Sequence, residues 1–520
     1  MKIFASNSYI NILIFTLISM TNLSASSISV SGDVSGTWEV DSVLVTEDIT
    51  IANGNSLTIS SGTYIEFQGH YGLHVQGRLL AIGSVADSIL FTVNDTTGFS
   101  NTNTTDGSWH GIRFIETSSA NDSSKISYCR LQYGKAIGYS PPSAGSGGAI
   151  CASGFSKIAV TNSIICHNMA FTGAGIALEN YSGGTYKNNL FQNNAAWLQG
   201  GGLYCASSLP LVDNCVFREN SASSGAGISL WYNSDAVLRN LLVENNEADI
   251  HAGGIYCNFG SSPVIENVII RENTATYGAG INCHEGASPF IFRTQITGNH
   301  AATSAGGISC GINANATMVN VTLCDNTALF WGSAMYIYDS HPVFINSIIR
   351  NDLLQEIYFS NYDQYSQSIL LANNDLQGGI ESIITNENAT IHWLSGNMSE
   401  PPQFEPDSFD YQLLETSPCI DMGTEYFEWQ GNTIVDLDQS SYIGIAPDMG
   451  AWEYTELQDC IYGDLNQDET VDILDILVTV NIIIGNIDPT DFQLCAADPN
   501  QDGTIDILDI IIVVDMIMAG

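Results

Sequence analysis

The sequence predicts a mostly β chain: a long solenoid of short stacked strands, followed by a small all-α module. Three observations predict it. The middle of the chain repeats every 25–27 residues. Its apolar residues alternate as strands do, with no helical spacing. An Asp/Asn-rich loop with an apolar run behind it occurs twice near the end.

The chain opens with Lys2, an apolar stretch from Ile10 to Met20, and small polar residues through Ser27. That stretch is too short to cross a bilayer and reads as an export signal over residues 1–26, cut near Ala25 or Ser26. No later segment reads as a membrane helix, because the run from Ile507 to Met518 is broken by Asp509 and Asp515. The mature protein is expected to be secreted or held at the cell surface, with no membrane span. A hydrophobic content of 44% supports a large core. The 13 Lys and Arg stand against 55 Asp and Glu, a formal charge of −42. Nucleic acid is therefore a poor partner, since phosphate contacts need basic side chains. The acidity alone reads as solubility.

Residues 27–454 are assigned to the solenoid and its C-terminal cap. The segments GGAIC, GAGIAL, GGGLYC, GAGISL, AGGIYC, GAGINC, AGGISC and GSAMYI align one apolar column: Ala149, Ile176, Leu203, Ile228, Ile255, Ile281, Ile308 and Met335. Two places on stands a second column: Cys151, Leu178, Cys205, Leu230, Cys257, Cys283, Cys310 and Ile337. Alternate strand positions share a face, so both columns are expected to point inward, with the cysteines serving as small buried hydrophobes. A second strand follows in each repeat, as in NNLFQNN and NVIIREN. It opens on Asn162, Asn188, Asn214, Asn240, Asn267, Thr294, Asn320 and Asn346, and closes on Asn168, Asn194, Asn220, Asn246, Asn273, His300, Asn326 and Asp352. Stacked amides can hydrogen-bond from coil to coil, and Asn tolerates a left-handed turn. Gly148, Gly175, Gly202, Gly227, Gly254, Gly280 and Gly307 mark a place with little room for a side chain. One coil of three short strands and three turns fits this period, advancing ~4.8 Å per coil. A propeller blade would need roughly 40 residues.

Residues 42–92 carry alternating apolar runs such as SLTIS, TYIEF and SILFTV, and coils are expected to continue through Trp109–Phe114 and Ile126–Tyr133. Residues 355–454 are less periodic and read as final coils and a cap, since a solenoid needs its open ends covered. The stretch from SGTWEVDSVLV through WHGIRF and the Gly-pair repeats resembles large secreted bacterial proteins with the right-handed, pectate-lyase-like parallel β-helix. SPCIDMG at 417–423 and APDMGAWEY at 446–454 are similar to the closing segment of that group. The resemblance implies the pectin-lyase fold and PbH1 repeats. It implies no single activity, because this fold hosts lyases, hydrolases and adhesins alike.

Residues 455–520 carry the most specific chemistry. GDLNQDETVDILD places Asp464, Asn466, Asp468, Thr470, Asp472 and Asp475 at loop places one, three, five, seven, nine and twelve. ADPNQDGTIDILD repeats this with Asp498, Asn500, Asp502, Thr504, Asp506 and Asp509. Ca2+ takes hard oxygens at flexible geometry, and a tight loop supplies them at alternate positions. Two ions are expected, with Thr470 and Thr504 giving backbone carbonyls and Asp472 and Asp506 acting through water. Gly503 holds the sharp sixth place; Glu469 stands there in the first loop. An EF-hand closes on Glu, whereas both copies here close on Asp. In this the duplication resembles type I dockerins, two calcium loops each followed by a helix. The resemblance implies a cohesin-like or cell-surface partner, met by Ile473–Leu474 and Ile507–Leu508, although those pairs could instead be core between the helices. Cys460 and Cys495 precede the loops at similar places, as a disulfide or as free buried thiols.

Catalytic candidates in the solenoid are sparse. Arg218, Glu244 and Arg271, with Glu219 and Glu272 beside them, read as ion pairs between coils. His284, Glu285, Asp339 and His341 read as loop residues, and His110 as a turn residue. Phe171, Trp197, His251, Tyr277, Phe330 and Trp331 precede the Gly pairs and are expected on a common edge, where they could stack on a polysaccharide or simply pack on neighbouring turns. Three readings stand: a polysaccharide-binding scaffold delivered by its dockerin, a polysaccharide lyase or glycoside hydrolase, and a non-enzymatic adhesin.

Overall fold

The computed structural model describes residues 26–138, 142–351, 355–361, 366–387, 389–405, 411–455, 460–468, 470–487, 489–499 and 505–519. The expected export signal lies outside them apart from Ser26, and so do Asp352, Asn500, Asp502, Gly503, Thr504 and Glu469.

From Ser27–Asp33 to Ala389–Trp393 the chain winds as a right-handed parallel β-helix. Each repeat gives one strand to each of three faces. Ile176–Glu179, Leu203–Ala206 and Ile228–Trp231 stack in register on a glycine-led face. Leu190–Gln192, Val216–Arg218 and Leu242–Glu244 stack on an asparagine-led face. Thr185–Lys187, Leu211–Asp213 and Val237–Arg239 form a third. The sequence predicts three strands per coil, but a fourth element is present. Ala195–Gln199, Ser221–Ser224 and Glu247–His251 belong to an eight-stranded ribbon where a turn was expected. Its inward residues are alanines, including Ala170, Ala196, Ala222, Ala248, Ala275 and Ala301. The small side chain lets the backbone close a narrow corner and still pair with the next coil.

The inward columns hold, with one slip. Ile150, not Ala149, pairs with Ile176, and Ala152, not Cys151, pairs with Leu178. Gly147, at φ 69°, is the counterpart of Gly173 at φ 60°, so the first Gly pair begins one residue earlier than its neighbours suggest. Cys151 therefore faces out of the coil, although it is fully buried beneath Arg113. Cys205, Cys257, Cys283 and Cys310 are fully buried in the core as free thiols. A Cβ at Gly175 would lie 2.3 Å from the Gly202 carbonyl oxygen, so the stacked glycines are required by the close approach of one coil to the next.

The asparagine ladder is real, with two members displaced. Asn194 Nδ2 donates to Asn220 Oδ1 at 3.0 Å, Asn220 to Asn246 at 3.0 Å, and Asn246 to Asn273 at 2.9 Å. Each Oδ1 also accepts the backbone N–H of the Asn one coil earlier. The ladder then runs through Asn299 rather than His300, and ends on Asn351 rather than Asp352. Only an amide both donates and accepts at this place, so the amide sets the alignment. The buried Glu356 closes the row by accepting from Asn351 Nδ2 at 2.9 Å. The opening column turns left-handed, at φ 54° for Asn188 and 50° for Asn214; its member in the later coil is Arg293, not Thr294.

After the last coil the chain turns back along the solenoid. Asn320 Nδ2 donates to the Asp448 carbonyl at 2.8 Å, Ala451 N to Thr322 Oγ1 at 2.9 Å, and Trp452 Nε1 to Gln295 Oε1 at 3.3 Å. Residues 411–454 thus cover the sides of several coils as well as the end expected of a cap. The hairpin Tyr426–Trp429 with Asn432–Asp436 is antiparallel, and its Val435 packs on Val319, Ile345 and Leu370.

Among the described residues the terminal module has three helices: α1 (Ile473–Ile483), α2 (Asp491–Ala497) and α3 (Ile507–Ala519). The short α2 was not expected, though Thr490 and Gln493 form a capping box that starts it. Leu465, Ala496, Ala497 and Val513 are buried here. Cys460 and Cys495 form a disulfide, with Cα atoms 6.1 Å apart.

Candidate functional site

Two regions carry site chemistry, the terminal loops and the outward surface of the glycine-led face. In the first loop Asp475 is fully buried, and its Oδ1 accepts the N–H of Leu465 at 2.8 Å and of Asn466 at 3.1 Å. Asp475 Oδ2 accepts the Asp472 N–H, and Asp472 Oδ1 accepts the Leu474 N–H, so one pair of carboxylates ends the loop and caps α1. Asp464 Oδ1 and Asn466 Oδ1 both receive the Asp468 N–H, and Asp468 Oδ1 receives that of Thr470. Asp506 and Asp509 repeat the cap at α3, while Asp509, fully buried, has an Oδ1 with no hydrogen-bond partner. Among the described residues no three His, Cys, Asp or Glu side chains gather as a finished metal-ligand cluster. The donor set nevertheless suits Ca2+: oxygen only, three buried carboxylates, and no Lys or Arg anywhere after Arg350 to balance them.

The expected docking pairs sit at the helix starts. Ile473 and Leu474 are 73% and 53% exposed, Ile507 and Leu508 67% and 53%. They are surface and not core between the helices, with Leu477 and Ile511 exposed beside them.

On the glycine-led face, the outward row of the later coils reads Tyr256, Asn282, Ser309, Tyr336, Tyr358. The next outward row reads His284, Gly311, Tyr338. Along the neighbouring ribbon edge run His251, Tyr277, Ser304 and Trp331. The coil of Ser304, Ser309 and Gly311 is therefore small wherever it faces out, between two coils that present large rings. The slot so formed holds about 170 Å³. The rings around it pack on one another: His251 with Tyr256 at 5.5 Å, His251 with Tyr277 at 5.5 Å, and Tyr336 with Tyr358 at 6.1 Å. Burial, then the neighbouring His284, pushes His251 down to about 4, so it is neutral across the physiological range. Trp231, Tyr232 and Phe259 extend the aromatic surface toward the earlier coils.

The six aromatics expected on one edge divide. His251, Tyr277 and Trp331 share a row and line the slot. Phe171 and Trp197 lie within a register irregularity of the ribbon and pack edge-on against each other at 4.4 Å. Phe330 precedes the row by one residue and is 59% exposed. Tyr256, Asn282, Ser309 and Tyr336 were missed. The signal was present: they alternate with the inward column in INC, ISC and MYI, and an alignment of outward places shows the change in size.

Further toward the N-terminus, the same face carries His74, Arg113 and Cys151 in one row. His110 belongs to this polar cluster as well as to its turn, with its ring 5.1 Å from that of His70. Burial, then Arg113, pushes His70 down to about 4 and lowers His110 further. Arg113 is buried and donates to the Ser146 carbonyl, and buried Lys135 donates to the carbonyls of Asn101 and Thr104 at 3.2 and 3.1 Å. The expected surface ion pairs are found in Arg271 with Glu244, at 2.8 Å, while Arg218 turns to Gln192 Oε1 at 3.2 Å. Asp339 and His341 lie in a turn, with His341 Nδ1 2.9 Å from Ser368 Oγ. Two larger clefts, each of about 540 Å³, lie elsewhere. One runs beside Trp452 and Glu453, the other beside Asp95 and Asp106, and neither has facing aromatic walls.

Residues 15–299 match the model of the right handed beta helix region family, and residues 462–518 that of the dockerin type I domain. The crystal structure of the periplasmic alginate epimerase AlgG is similar at 11% identity, over 68% of this chain and 75% of that one, with a TM-score of 0.36. Pectate lyase Pel9A is similar at 14% identity, over 80% and 88% of the two chains, with a TM-score of 0.31. The A-module of the Azotobacter vinelandii mannuronan C-5 epimerase AlgE4 is similar at 13% identity, over 72% and 91%, with a TM-score of 0.27. No curated protein matches the chain significantly.

Proposed function

The chain belongs to the right-handed β-helix family and ends in a dockerin type I domain, and from that premise we propose that it is an extracellular glycan-binding protein held in place by its terminal module. The export signal expected over residues 1–26 supports the location, and no helix among the described residues is long and apolar enough to cross a membrane. The observation that carries the glycan reading is the slot lined by Tyr277, Trp331, Tyr336 and Tyr338, between the glycine-led face and the neighbouring ribbon edge. Apolar rings with a few polar groups between them are the usual lining of a small-molecule site, and ring faces attract the C–H bonds of a sugar.

Calcium, when bound, supplies the positive charge that lets the loop carboxylates converge. Asp464, Asn466, Asp468, Thr470, Asp472 and Asp475 would hold one ion, and Asp498, Asn500, Asp502, Thr504, Asp506 and Asp509 the other. The exposed Ile473–Leu474 and Ile507–Leu508 pairs favour an apolar strip on a cohesin-like partner.

Affinity electrophoresis tests the glycan reading. The calcium-loaded chain is expected to be retarded in gels containing β-glucan, xylan or polygalacturonate; free migration in all three would overturn it. Immobilised cohesin tests the docking reading. Ile473→Asp with Ile507→Asp is expected to cut retention at least tenfold, and unchanged retention would move the docking surface elsewhere.

A further inference from the structure

We infer that the slot over Ser304, Ser309 and Gly311 takes one ring of a neutral saccharide, and that uronate polymers are not its ligands. The inference rests on the glycan-binding reading and narrows it to a place and a charge class.

The geometry sets the size. The flanking coils are two strand separations apart, ~9.6 Å between backbones. A ring held between two faces at van der Waals contact needs about 7–8 Å, twice the ~3.5–4.0 Å carbon separation. One wall carries Tyr277 and His284, the other Trp331 and Tyr336. The floor offers Ser309 and the amide of Asn282, whose Nδ2 lies 3.3 Å from the Tyr277 carbonyl and 3.4 Å from His251 Nδ1. The Asn282 Oδ1 is buried and meets no donor, and the amide as a whole lines the slot beside Ser309.

The charges decide the class. A carboxylate buried among aromatic rings needs a cation beside it, and the residues lining the slot include no lysine or arginine. The histidines there are held neutral by burial. Arg113, in the earlier coils of this face, is buried and donates to the Ser146 carbonyl, and Lys135, buried at the start of the ribbon, donates to the Asn101 carbonyl. Glu285 follows directly on His284, with Oε1 4.0 Å from its Nδ1, and adds charge of the wrong sign for a uronate.

Titration calorimetry on the calcium-loaded full chain tests this, with cellohexaose, xylohexaose and mannohexaose against hexagalacturonate and hexamannuronate. A neutral hexamer is expected to bind and the two acidic ones to give no heat. Trp331→Ala should empty one wall and weaken binding at least tenfold. Ser309→Tyr should fill the slot and do the same, and it should fold, because Tyr256, Tyr336 and Tyr358 occupy the same row in other coils. Far-ultraviolet dichroism confirms the fold of both variants. His284→Lys is expected to admit hexagalacturonate by adding the missing cation. If an acidic hexamer binds the native chain and loses that binding in Ser309→Tyr, the charge assignment fails while the glycan reading stands. If a neutral hexamer binds equally well to both slot variants, the slot is wrong and the rest of the aromatic surface carries the function. If no hexamer binds, the inference and the reading beneath it fall together.

Discussion

The solenoid and the terminal module are ordered by opposite means. In the solenoid each coil repeats the inward residues of the last, so Ile228, Ile255, Ile281 and Ile308 stack in one dry column and the Asn amides satisfy each other on the next corner. Nothing outside the chain is needed. In the module Ile473, Leu474, Leu477, Ile507, Leu508 and Ile511 are exposed, and the buried groups include Asp464, Asp475 and Asp509. Like charges converge there without a basic residue in the segment. Repetition gives a body whose buried groups satisfy one another, whereas convergence of carboxylates gives a part whose order is expected to depend on a cation.

Removing the cation should break the contrast most visibly. With EDTA, α1 and α3 are expected to lose their helical dichroism while the thermal transition of the solenoid stays in place, because binding free energy in such a module is folding free energy. Helices that persist in EDTA would make the module as self-sufficient as the solenoid. A break in the ladder comes next. Asn246→Leu leaves the Asn220 amide and backbone N–H, the Phe217 carbonyl and Asn273 Oδ1 each short of a partner. Asn220 Nδ2 keeps the Phe191 carbonyl and Asn273 Oδ1 keeps the N–H of residue 246, so at about 1–3 kcal/mol for each group left without a partner a loss on the order of 2–5 kcal/mol is expected, read by denaturant unfolding and indifferent to calcium. Cys460→Ala with Cys495→Ala should cost the module about 3–4 kcal/mol, the loop-closure value for a cross-link of this span. It should appear as a higher calcium requirement for helix formation and leave the solenoid untouched.

The same contrast explains what could be read from the residues alone. Repetition averages out local ambiguity: seven or eight copies of an apolar column and an Asn column established the faces, and the errors were one-residue slips at Ala149, Cys151, Thr294, His300 and Asp352. Each slip falls where a Gly pair or a turn gains or loses a residue, and only the partner across the coil shows which. The alanine ribbon was legible in the spacing of Ala170, Ala196, Ala222 and Ala248 but hidden by the assumption that a connection between faces is a turn. The slot was not legible as a cavity, because it consists of small residues between large ones in three different coils. The loop motif of residues 464–475 is legible from spacing alone, since it lies within twelve residues and needs no tertiary information. The return of residues 411–454 along the solenoid could not, since Trp452 meets Gln295 across 157 positions.

That returning segment gives the smallest predicted effect and the sharpest test of where the solenoid stops being self-sufficient. Burial, then the neighbouring Asp448, raises Glu453 to about 7, and burial raises Asp375 to about 6 against the opposing pull of Arg350. Both values lie above the unfolded carboxylate range of ~4. The folded state therefore binds these protons more tightly than the unfolded one. The stabilisation is complete below about pH 4 and is lost as pH rises through 6 and then 7. The segment is expected to loosen between pH 5 and 8, read as faster hydrogen exchange at Asp448, Ala451 and Tyr454 after correction for the intrinsic rate. The Asn ladder carries no titratable side chain before Glu356 and should hold its protection over the same range. Glu453→Gln keeps a neutral acceptor for the Ile443 and Asp448 N–H groups and should flatten the pH slope. A slope unchanged in that variant would shift the proton-sensitive contact to the pair of Arg350 and Asp375, inside the last coils, where it would mark the solenoid's own end as the weak point.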